Sequence, residues 1–387
     1  MRLAIVASHP IQYQAPLFRE LARRLDVTVF FAHRANKSDQ AEAGFGVDFD
    51  WDVDLLSGYR QKFLENVSRR PGLEHFTGCD TPSIRQELLH GQFDGLLVMG
   101  WHLKCYLQAI WAAKRTGIPV MARGDSQLAT PRSALKRIGK SIVYPLALGV
   151  FDAALYVGVR SRAYWRRYGY PDDRLFFSPH CVDNDWFAER ATFDARQELR
   201  ARHGISAETD VALFAGKLMR IKHPLDLIAA AALLRAQQRQ IAVMVAGSGR
   251  LSEEMSSKAA AENIQIVQLG FCNQTHMPAA YAAADLLVLP SEQETWGLVA
   301  NEALACGRPI VVSDACGCGP DLAEDGVVGR VFRAGDIQSL ARAIMDLADR
   351  PPTKAAIARR AAQYGPHTAA DGIQDALEAI ASMRSVA

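Results

Sequence analysis

The chain has 387 residues, of which 49% are hydrophobic and 22% are charged. This length favours two or three domains, and the composition is that of a soluble globular protein. The seven cysteines are odd in number and lack paired CxxC spacing. They argue against a disulfide framework or a zinc site and favour a reducing, cytoplasmic compartment.

The small net charge of +2 is unevenly distributed. Residues 1–180 carry 24 Lys and Arg against 17 Asp and Glu, or +7; subtraction leaves 20 against 25, or −5, for the rest. No nucleic-acid partner is expected. The basic half suits an anionic partner such as a membrane surface or a phosphorylated acceptor, although an ordinary solvated surface explains an excess of this size equally well.

Short apolar runs alternate with amphipathic stretches, which is the pattern of βα units on a parallel sheet. In the first half, buried strands are predicted at residues 3–8, 27–32, 95–100, 118–123 and 153–158. The pattern restarts at residues 210–216, 241–247, 264–270, 285–290 and 309–314. The opening run is too short for a signal peptide, and Pro145 and Asp152 interrupt the longest apolar run, so no membrane-spanning segment is predicted.

The two series of strands predict an α/β protein with two doubly wound, Rossmann-like domains facing a cleft. The predicted boundaries are an N-terminal domain at 1–180, a linker at 181–207, and a C-terminal domain at 208–365. A last helix at 366–387 can cross back to the first domain. Ligands of such sheets bind at the carboxyl ends of the strands.

Two turns of the second series carry anion-binding features. FAGKLMRIKHP (214–224) places Lys217 and Lys222 between a strand and a helix start, where a diphosphate fits, although a solvated basic loop is the simpler alternative. AGSGR (246–250) offers Gly247 and Gly249 for close approach to the backbone, but it lacks the third glycine of a dinucleotide fingerprint. Because the first turn, SHPIQYQ, has no glycine at all, a nicotinamide dehydrogenase is disfavoured.

DFDWDVD (48–54) contains overlapping Asp-x-Asp pairs, the pattern that holds a divalent metal in some glycosyltransferases of another fold. Its acids alternate strictly with apolar residues, so the sequence instead predicts a half-exposed strand. No metal site is predicted.

SEQETWGLVANEALACG (291–307) combines a turn with a helix that begins near Trp296 or Gly297. Glu294 lies in the turn, and Glu302 lies about one and a half turns into the helix. These carboxylates can accept hydrogen bonds from sugar hydroxyls, or they can be ordinary solvent-facing acids. Spacing alone leaves both readings open.

These motifs, in this order, resemble family 4 of the retaining glycosyltransferases, whose architecture is GT-B. The similarity is strongest over about residues 210–345, including AYAAADLLVLPSEQETWGLVANEALACGRPIVVSD, GCGPDL and DGVVGRVF. The resemblance implies a nucleotide-diphosphate sugar as donor, a hydroxyl of a glycan or lipid-linked molecule as acceptor, and no cofactor or metal. Polysaccharide or glycolipid assembly is the family's commonest setting.

Carried over residue by residue, the resemblance assigns donor diphosphate binding to Lys217 and Lys222, the nucleobase to the turn of Gly247 and Gly249, and the ribose to Glu302. It also places Glu294 near the reacting carbon of the donor sugar. The backbone amides around Gly297 and Leu298 would face the diphosphate. The family often has a histidine after a first-domain strand, where this chain reads ARGDSQ (122–127). Asp125, Arg123 or His102 are the candidates to replace it, with His9 and Gln12 on the acceptor side. His180 also falls near a strand end, where a structural role is the simpler interpretation.

The implied mechanism is a same-face displacement in which the departing diphosphate helps to deprotonate the acceptor. A nucleotide-sugar epimerase and a catalytically silent nucleotide-sugar-binding protein are the alternatives. The sequence leaves open the base, the sugar and the acceptor. Residues 131–144 (PRSALKRIGKSIVY) predict an amphipathic helix that could lie on an anionic membrane, or form an ordinary surface helix.

Overall fold

The computed structural model describes residues 1–34, 49–130 and 133–386. They divide into two compact units. Among these residues, the first unit comprises 1–34, 54–181 and 366–386, and the second comprises 49–53 and 182–365. Three positions of the motifs above, Asp48, Pro131 and Arg132, lie outside the described residues.

The first unit is built on a sheet of seven described strands, in which all neighbouring pairs are parallel. Their spatial order is β3-β2-β1-β4-β5-β6-β7, so the winding direction reverses between β1 and β4. The strands are β1 (Arg2–Ala7), β2 (Asp26–Phe31), β3 (Arg60–Phe63), β4 (Gly95–Val98), β5 (Val120–Gly124), β6 (Ala153–Tyr156) and β7 (Leu175–Phe177).

Helices cover both faces of this sheet. The described helices are α1 (Ala15–Ala22), α2 (Ile84–Gly91), α3 (Lys104–Thr116), α4 (Ala134–Leu148), α5 (Val159–Arg167) and, from the end of the chain, α15 (Pro366–Val386), with 3-10 turns at Phe76–Gly78 and Asp172–Arg174. Alternate residues of β1 belong to opposite cores: Leu3 and Ile5 share one with α15, and Ala4 shares the other with α3. A central strand of a parallel sheet is apolar throughout for this reason.

The second unit repeats the arrangement with six described parallel strands in the order β10-β9-β8-β11-β12-β13. These are β8 (Asp210–Ala215), β9 (Ile241–Ala246), β10 (Gln265–Gly270), β11 (Leu286–Leu289), β12 (Ile310–Ser313) and β13 (Gly329–Phe332). The helices are α6 (Asn184–Arg190), α7 (Phe193–Arg202), α8 (Pro224–Ala236), α9 (Ser252–Ala261), α10 (Met277–Ala283), α11 (Leu298–Ala305), α12 (Gly319–Leu322), α13 (Ile337–Asp349) and α14 (Lys354–Gln363), with 3-10 turns at Arg220–Lys222 and Gln274–His276. The predicted α/β class with two parallel-sheet units is confirmed.

The segment 181–207 was predicted to be a linker that contains a polar helix. It forms α6 and α7 and, from residue 182, belongs to the second unit. The guanidinium groups of Arg196 and Arg200 both bind the carboxylate of Asp285, at 2.6 and 2.7 Å, and Arg200 is only 5% exposed. Two of the polar residues of this segment are therefore used in a partly buried ion-pair cluster.

The described part of the DFDWDVD motif is irregular rather than a strand. Phe49 packs against Phe271, with 4.5 Å between ring centroids, and the carboxylate of Asp52 accepts hydrogen bonds from the backbone and side chain of Thr275. Asp54 accepts instead from the amides of Leu56 and Ser57. The predicted strand is wrong here because Asp54 caps its own turn and Asp52 is held by a residue distant in sequence, and the alternation reveals neither contact.

Among the described residues, no helix is both long and apolar enough to span a membrane.

Candidate functional site

Three turns lie side by side at the carboxyl edge of the second sheet, because β9, β8 and β11 are neighbours. The turn after β8 begins at Gly216 and carries Lys217 and Lys222; both side chains are partly buried. Burial, aided by the neighbouring charge of Lys222, lowers the pKa of Lys217. Two partly buried lysine side chains therefore lie close together at this edge of the sheet.

The glycine turn after β9 packs tightly on the lysine turn. A Cβ atom at Gly247 would lie 1.9 Å from the carbonyl oxygen of Gly216, and one at Gly249 would lie 2.6 Å from that of Leu218. The Leu218 amide donates to the Ser248 carbonyl at 2.9 Å. From the sequence, these glycines were expected to let a ligand approach the backbone closely. In the structure, the group that approaches them closely is the backbone of the lysine turn. Their close packing fixes the position of the lysine turn.

Glu294 follows β11 and forms an ion pair with the ammonium group of Lys222. Two backbone hydrogen bonds stabilise the loop around Glu294. The amides of Gly317 and Cys318 donate to the carbonyls of Glu294 and Trp296, at 2.9 and 3.0 Å respectively. A Cβ at Gly317 would lie 1.8 Å from the Thr295 carbonyl oxygen, so only glycine fits there. The Cys316–Cys318 pair thus belongs to a small-residue loop, and both thiols are buried.

Helix α11 begins at Leu298, one residue after Gly297, which has a positive φ of 100°. Gly297 has no side chain to cap the helix, and the Ala300 amide donates to the Gly297 carbonyl at 2.9 Å, so the helix start has a backbone cap and no side-chain cap. Further along, Glu302 is partly buried and accepts a 2.6 Å hydrogen bond from the hydroxyl of Tyr281. Burial raises the pKa of Glu302 to about 7, although the tyrosine acts in the opposite direction. Glu302 is therefore a carboxyl group in contact with another residue, not a solvated helix acid.

The first unit gathers a second group of polar residues, at the carboxyl edge of its own sheet. His9 follows β1 and its Nδ1 lies 3.0 Å from Ser8 Oγ. Gln12, in the same turn, has its amide oxygen shielded from solvent. His102 follows β4 and packs on Tyr106 with 5.8 Å between ring centroids. Burial lowers the pKa of His102, while the charge of Asp125 opposes the change.

Arg123 and Asp125 leave β5 in different directions. Arg123 is 4% exposed and donates to the carbonyl and hydroxyl of Ser178 and to the carbonyl of Pro179, at 2.6 to 3.2 Å. This guanidinium supports the segment after β7 and does not have the exposure expected of an acceptor-side residue. Asp125 retains an exposed carboxylate, and its Oδ2 lies 3.6 Å from His180 Nε2.

His180, which also follows a strand, lies beside Asp125. It is buried, with the ring of Tyr13 perpendicular to it at 5.7 Å. Burial lowers the pKa of His180 despite the nearby Asp125, and burial also raises the pKa of Tyr13 to about 12. The pKa of Asp125 lies below its usual value because its contact with His180 outweighs the effect of burial. In the sequence, His180 is marked only by its position after a predicted strand. His9 and His102 are marked in the same way.

The described residues contain no group of three His, Cys, Asp or Glu side chains placed to hold a metal ion. Each carboxylate discussed above contacts a cation, a hydroxyl or an amide of the protein.

Two parallel-sheet α/β units, each with polar side chains at the carboxyl edge of its sheet, match the GT-B class. The crystal structure of Anabaena Alr3699/HepE in complex with UDP and glucose superimposes with a TM-score of 0.69 and 16% identity, covering 98% of this chain and 99% of that one. At this identity, the similarity establishes the fold.

The sequence comparison gives a match over part of the chain. Residues 195–364 match the family model of the glycosyl transferases group 1. The "D-inositol 3-phosphate glycosyltransferase" of Pseudarthrobacter chlorophenolicus is 28% identical over 311 residues, which cover 76% of this chain and 71% of that protein. The protein of the same name from Mycolicibacterium smegmatis is 34% identical over 186 residues, 47% of this chain but only 41% of its own length. The general reaction is therefore glycosyl transfer.

Proposed function

We propose that this chain is a retaining, metal-independent glycosyltransferase that moves a sugar from a nucleotide-diphosphate sugar to a hydroxyl acceptor. The observation that carries the proposal is the ion pair between Lys222 and Glu294, formed across two turns that follow neighbouring strands. A partly buried cation and carboxylate in contact match the two ends of a sugar diphosphate, which is anionic at the phosphates and rich in hydroxyl donors at the sugar.

The chemistry requires charge stabilisation at the departing diphosphate. Breaking the sugar–phosphate bond places negative charge on the leaving group, which Lys217, Lys222 and the first amides of α11 would neutralise. Donor binding would take Lys222 from Glu294 and leave that carboxylate to accept from sugar hydroxyls near the anomeric carbon. Glu302, oriented by Tyr281, would accept from the ribose hydroxyls.

The acceptor would be deprotonated by the departing diphosphate on the same face of the sugar, so the configuration would be retained without a dedicated base. Asp125, whose pKa is lowered, and the exposed His102 are the first-unit groups proposed to orient the acceptor hydroxyl. Arg123 is assigned to the support of the segment after β7.

The acceptor is proposed to be a glycan or a lipid-linked molecule, with the protein bound peripherally to a membrane. Helix α4 buries only one described residue, Leu148, whereas Leu135, Ile142 and Leu146 are 83%, 69% and 85% exposed. Between Asp125 and Asp152 the sequence has four Lys or Arg and no acid. An exposed apolar helix with only positive charge fits an anionic lipid surface.

Thermal shift with UDP, GDP and ADP is the first test, and UDP is the first candidate because the HepE complex contains it. Binding to the folded state raises the melting temperature by mass action. A shift with one nucleotide that is lost in Lys217→Ala and Lys222→Ala is expected. Lys354→Ala removes the same charge from an exposed position at the start of α14 and should retain the shift.

Product analysis then tests the reaction itself. Incubation with the preferred nucleotide sugar and an acceptor extract should give a glycoside with the donor's anomeric configuration. An isomerised sugar nucleotide formed from donor alone would instead identify an epimerase. The absence of a thermal shift with all three nucleotides would refute the donor site.

A further inference from the structure

His223 has a backbone conformation that its residue type and its neighbour both disfavour. Its φ and ψ are 49° and 42°, in the left-handed region, and the next residue is Pro224. A side chain makes this region unfavourable, and a following proline disfavours helical conformations further. Three other described non-glycine residues have a positive φ, namely Gln92, Gln238 and Asn263, and none of them precedes a proline.

The imidazole ring of His223 lies between two carboxylates on different elements. Its Nδ1 is 3.1 Å from Asp226 Oδ2, in the first turn of α8, and its Nε2 is 3.3 Å from Glu292 Oε2, in the turn after β11. The ring therefore connects the lysine turn with the turn that carries Glu294.

Glu292 contacts both chain neighbours of Lys222. Its amide donates to the carbonyl of Ile221 at 3.0 Å, and its carboxylate meets His223 on the other side. The two turns are thus joined immediately before and immediately after Lys222. Glu292 stands two residues before Glu294, so the same connection sets the register in which Lys222 meets Glu294.

The geometry points to His223 as a positioning residue of the donor site, which holds the turn of Lys222 against the turn of Glu294 through Glu292. The inference rests on the proposed function, because it assigns the diphosphate to Lys222. It explains why a strained conformation is kept: residues held in such regions persist where surrounding contacts impose them, and they cluster at ligand-binding sites. Glycine would satisfy the backbone but would give up the ring.

His223→Gly separates positioning from simple structural support. Glycine adopts a positive φ readily, so this variant should melt at the wild-type temperature or above it. Its affinity for the nucleoside diphosphate, measured by calorimetric titration of UDP, GDP and ADP in turn, should fall by about fivefold. Gln238→Gly is the matched control: it relieves another positive φ on an exposed residue after α8 and should bind as the wild type does.

A double-mutant cycle tests whether His223 acts through Lys222. In a Lys222→Ala background, His223→Gly should weaken nucleotide binding no further, because the group that it positions is gone. Glu292→Ala keeps the backbone hydrogen bond to Ile221 and should reproduce the fivefold loss; it also serves if His223→Gly fails to fold.

Wild-type affinity in His223→Gly, wild-type affinity in Glu292→Ala, or a full additional loss in the Lys222→Ala background would each overturn the inference. Those outcomes leave the donor site intact. The absence of binding of any of the three nucleotides to the wild-type chain would instead remove the proposed function and this inference with it.

Discussion

The hydroxyl of Tyr281 donates a 2.6 Å hydrogen bond to Glu302, joining α10 to α11 beneath the carboxyl edge of the second sheet. Tyr281 is fully buried, and burial raises its pKa well above the usual value, so the hydroxyl keeps its proton and acts only as the donor to this carboxylate. The geometry of Glu302 thus depends on a residue that would not itself touch a nucleotide.

Tyr281→Phe should weaken nucleoside diphosphate binding by about tenfold, because a hydrogen bond to a charged group is lost and Glu302 is no longer oriented. Titration calorimetry measures the loss. Tyr170→Phe removes a comparable buried hydroxyl, which donates to the Phe151 carbonyl at 3.0 Å in the first unit, and should leave the affinity unchanged. Equal effects of the two variants would argue against a role of Tyr281 in the site.

The raised pKa of Glu302 predicts an unusual pH dependence of stability. With a folded-state value of about 7 against 4.5 when unfolded, the folded form binds an extra proton between these values. Stability from this group is therefore present at low pH and lost as the pH rises from about 4.5 to 7. Glu302→Gln should become progressively more stabilising, relative to the wild type, between pH 5 and pH 8 in thermal melts. A pH-independent difference would contradict the assignment.

The same group predicts how nucleotide binding depends on pH. If the ionised carboxylate of Glu302 accepts the ribose hydroxyls, nucleotide affinity should rise from pH 6 to pH 8 in the wild type. The rise attributable to this group should be absent in Glu302→Gln. An equal rise in both proteins would assign the pH dependence to another residue.

Arg200→Met should lower the free energy of unfolding by about 2–3 kcal/mol, because it leaves Asp285 with one of its two arginines in a partly buried setting. Arg202→Ala, on the same helix, breaks an exposed pair with Glu198 and should cost about 0.5 kcal/mol or less. Urea denaturation of both variants gives the comparison. Similar costs would show that the cluster at Asp285 is not a stabilising feature of α7.

Arg123→Met and Asp125→Asn should distinguish a residue that stabilises the fold from one that takes part in the reaction. The first removes a buried guanidinium and leaves its carbonyl and hydroxyl acceptors without their donor, so stability should fall by about 2–3 kcal/mol. The second should lower kcat by about tenfold or more, with little change in melting temperature or in nucleotide affinity. Retained kcat in Asp125→Asn would remove this carboxylate from the proposed mechanism.

Replacing Leu135, Ile142 and Leu146 together by Gln should reduce co-flotation with vesicles that contain anionic lipid, since α4 would lose its most exposed apolar side chains. Vesicles of zwitterionic lipid alone should bind the wild type weakly. Phe193→Gln, at another exposed apolar position, should float as the wild type does. If the wild-type chain does not bind anionic vesicles but self-associates through α4, the partner of this helix is a second copy of the chain.

The sequence reveals the buried strands most clearly. Apolar runs located ten of the described strands, whereas β3 (Arg60–Phe63), β7 (Leu175–Phe177) and β13 (Gly329–Phe332) were not predicted. All three lie at sheet edges, and they have only three or four residues. An edge strand this short need not be apolar on both faces, so its periodicity is too weak to detect.

Side-chain direction is what the pattern of the sequence could not supply. Arg123, near the end of β5, and Asp125, just after it, are two residues apart, yet the first is buried against Ser178 and the second has a half-exposed side chain. His223 precedes a proline, which on local rules argues for an extended conformation. Its backbone is nevertheless left-handed, and its ring contacts Glu292, 69 positions away, a partner that is not visible in a local pattern.

The placement of α15 has a consequence for the order in which the protein can fold. Gly372 lets this helix approach so closely that a Cβ would lie 1.8 Å from the carbonyl oxygen of Phe177, and Ile373 and Leu377 complete one face of the first unit's core. The residues between these partners form the second unit. On the ribosome, the second unit can therefore finish folding while the first still exposes an apolar face, since long-range contacts of this kind form late. The unit that is synthesised first can therefore be the last to complete its hydrophobic core.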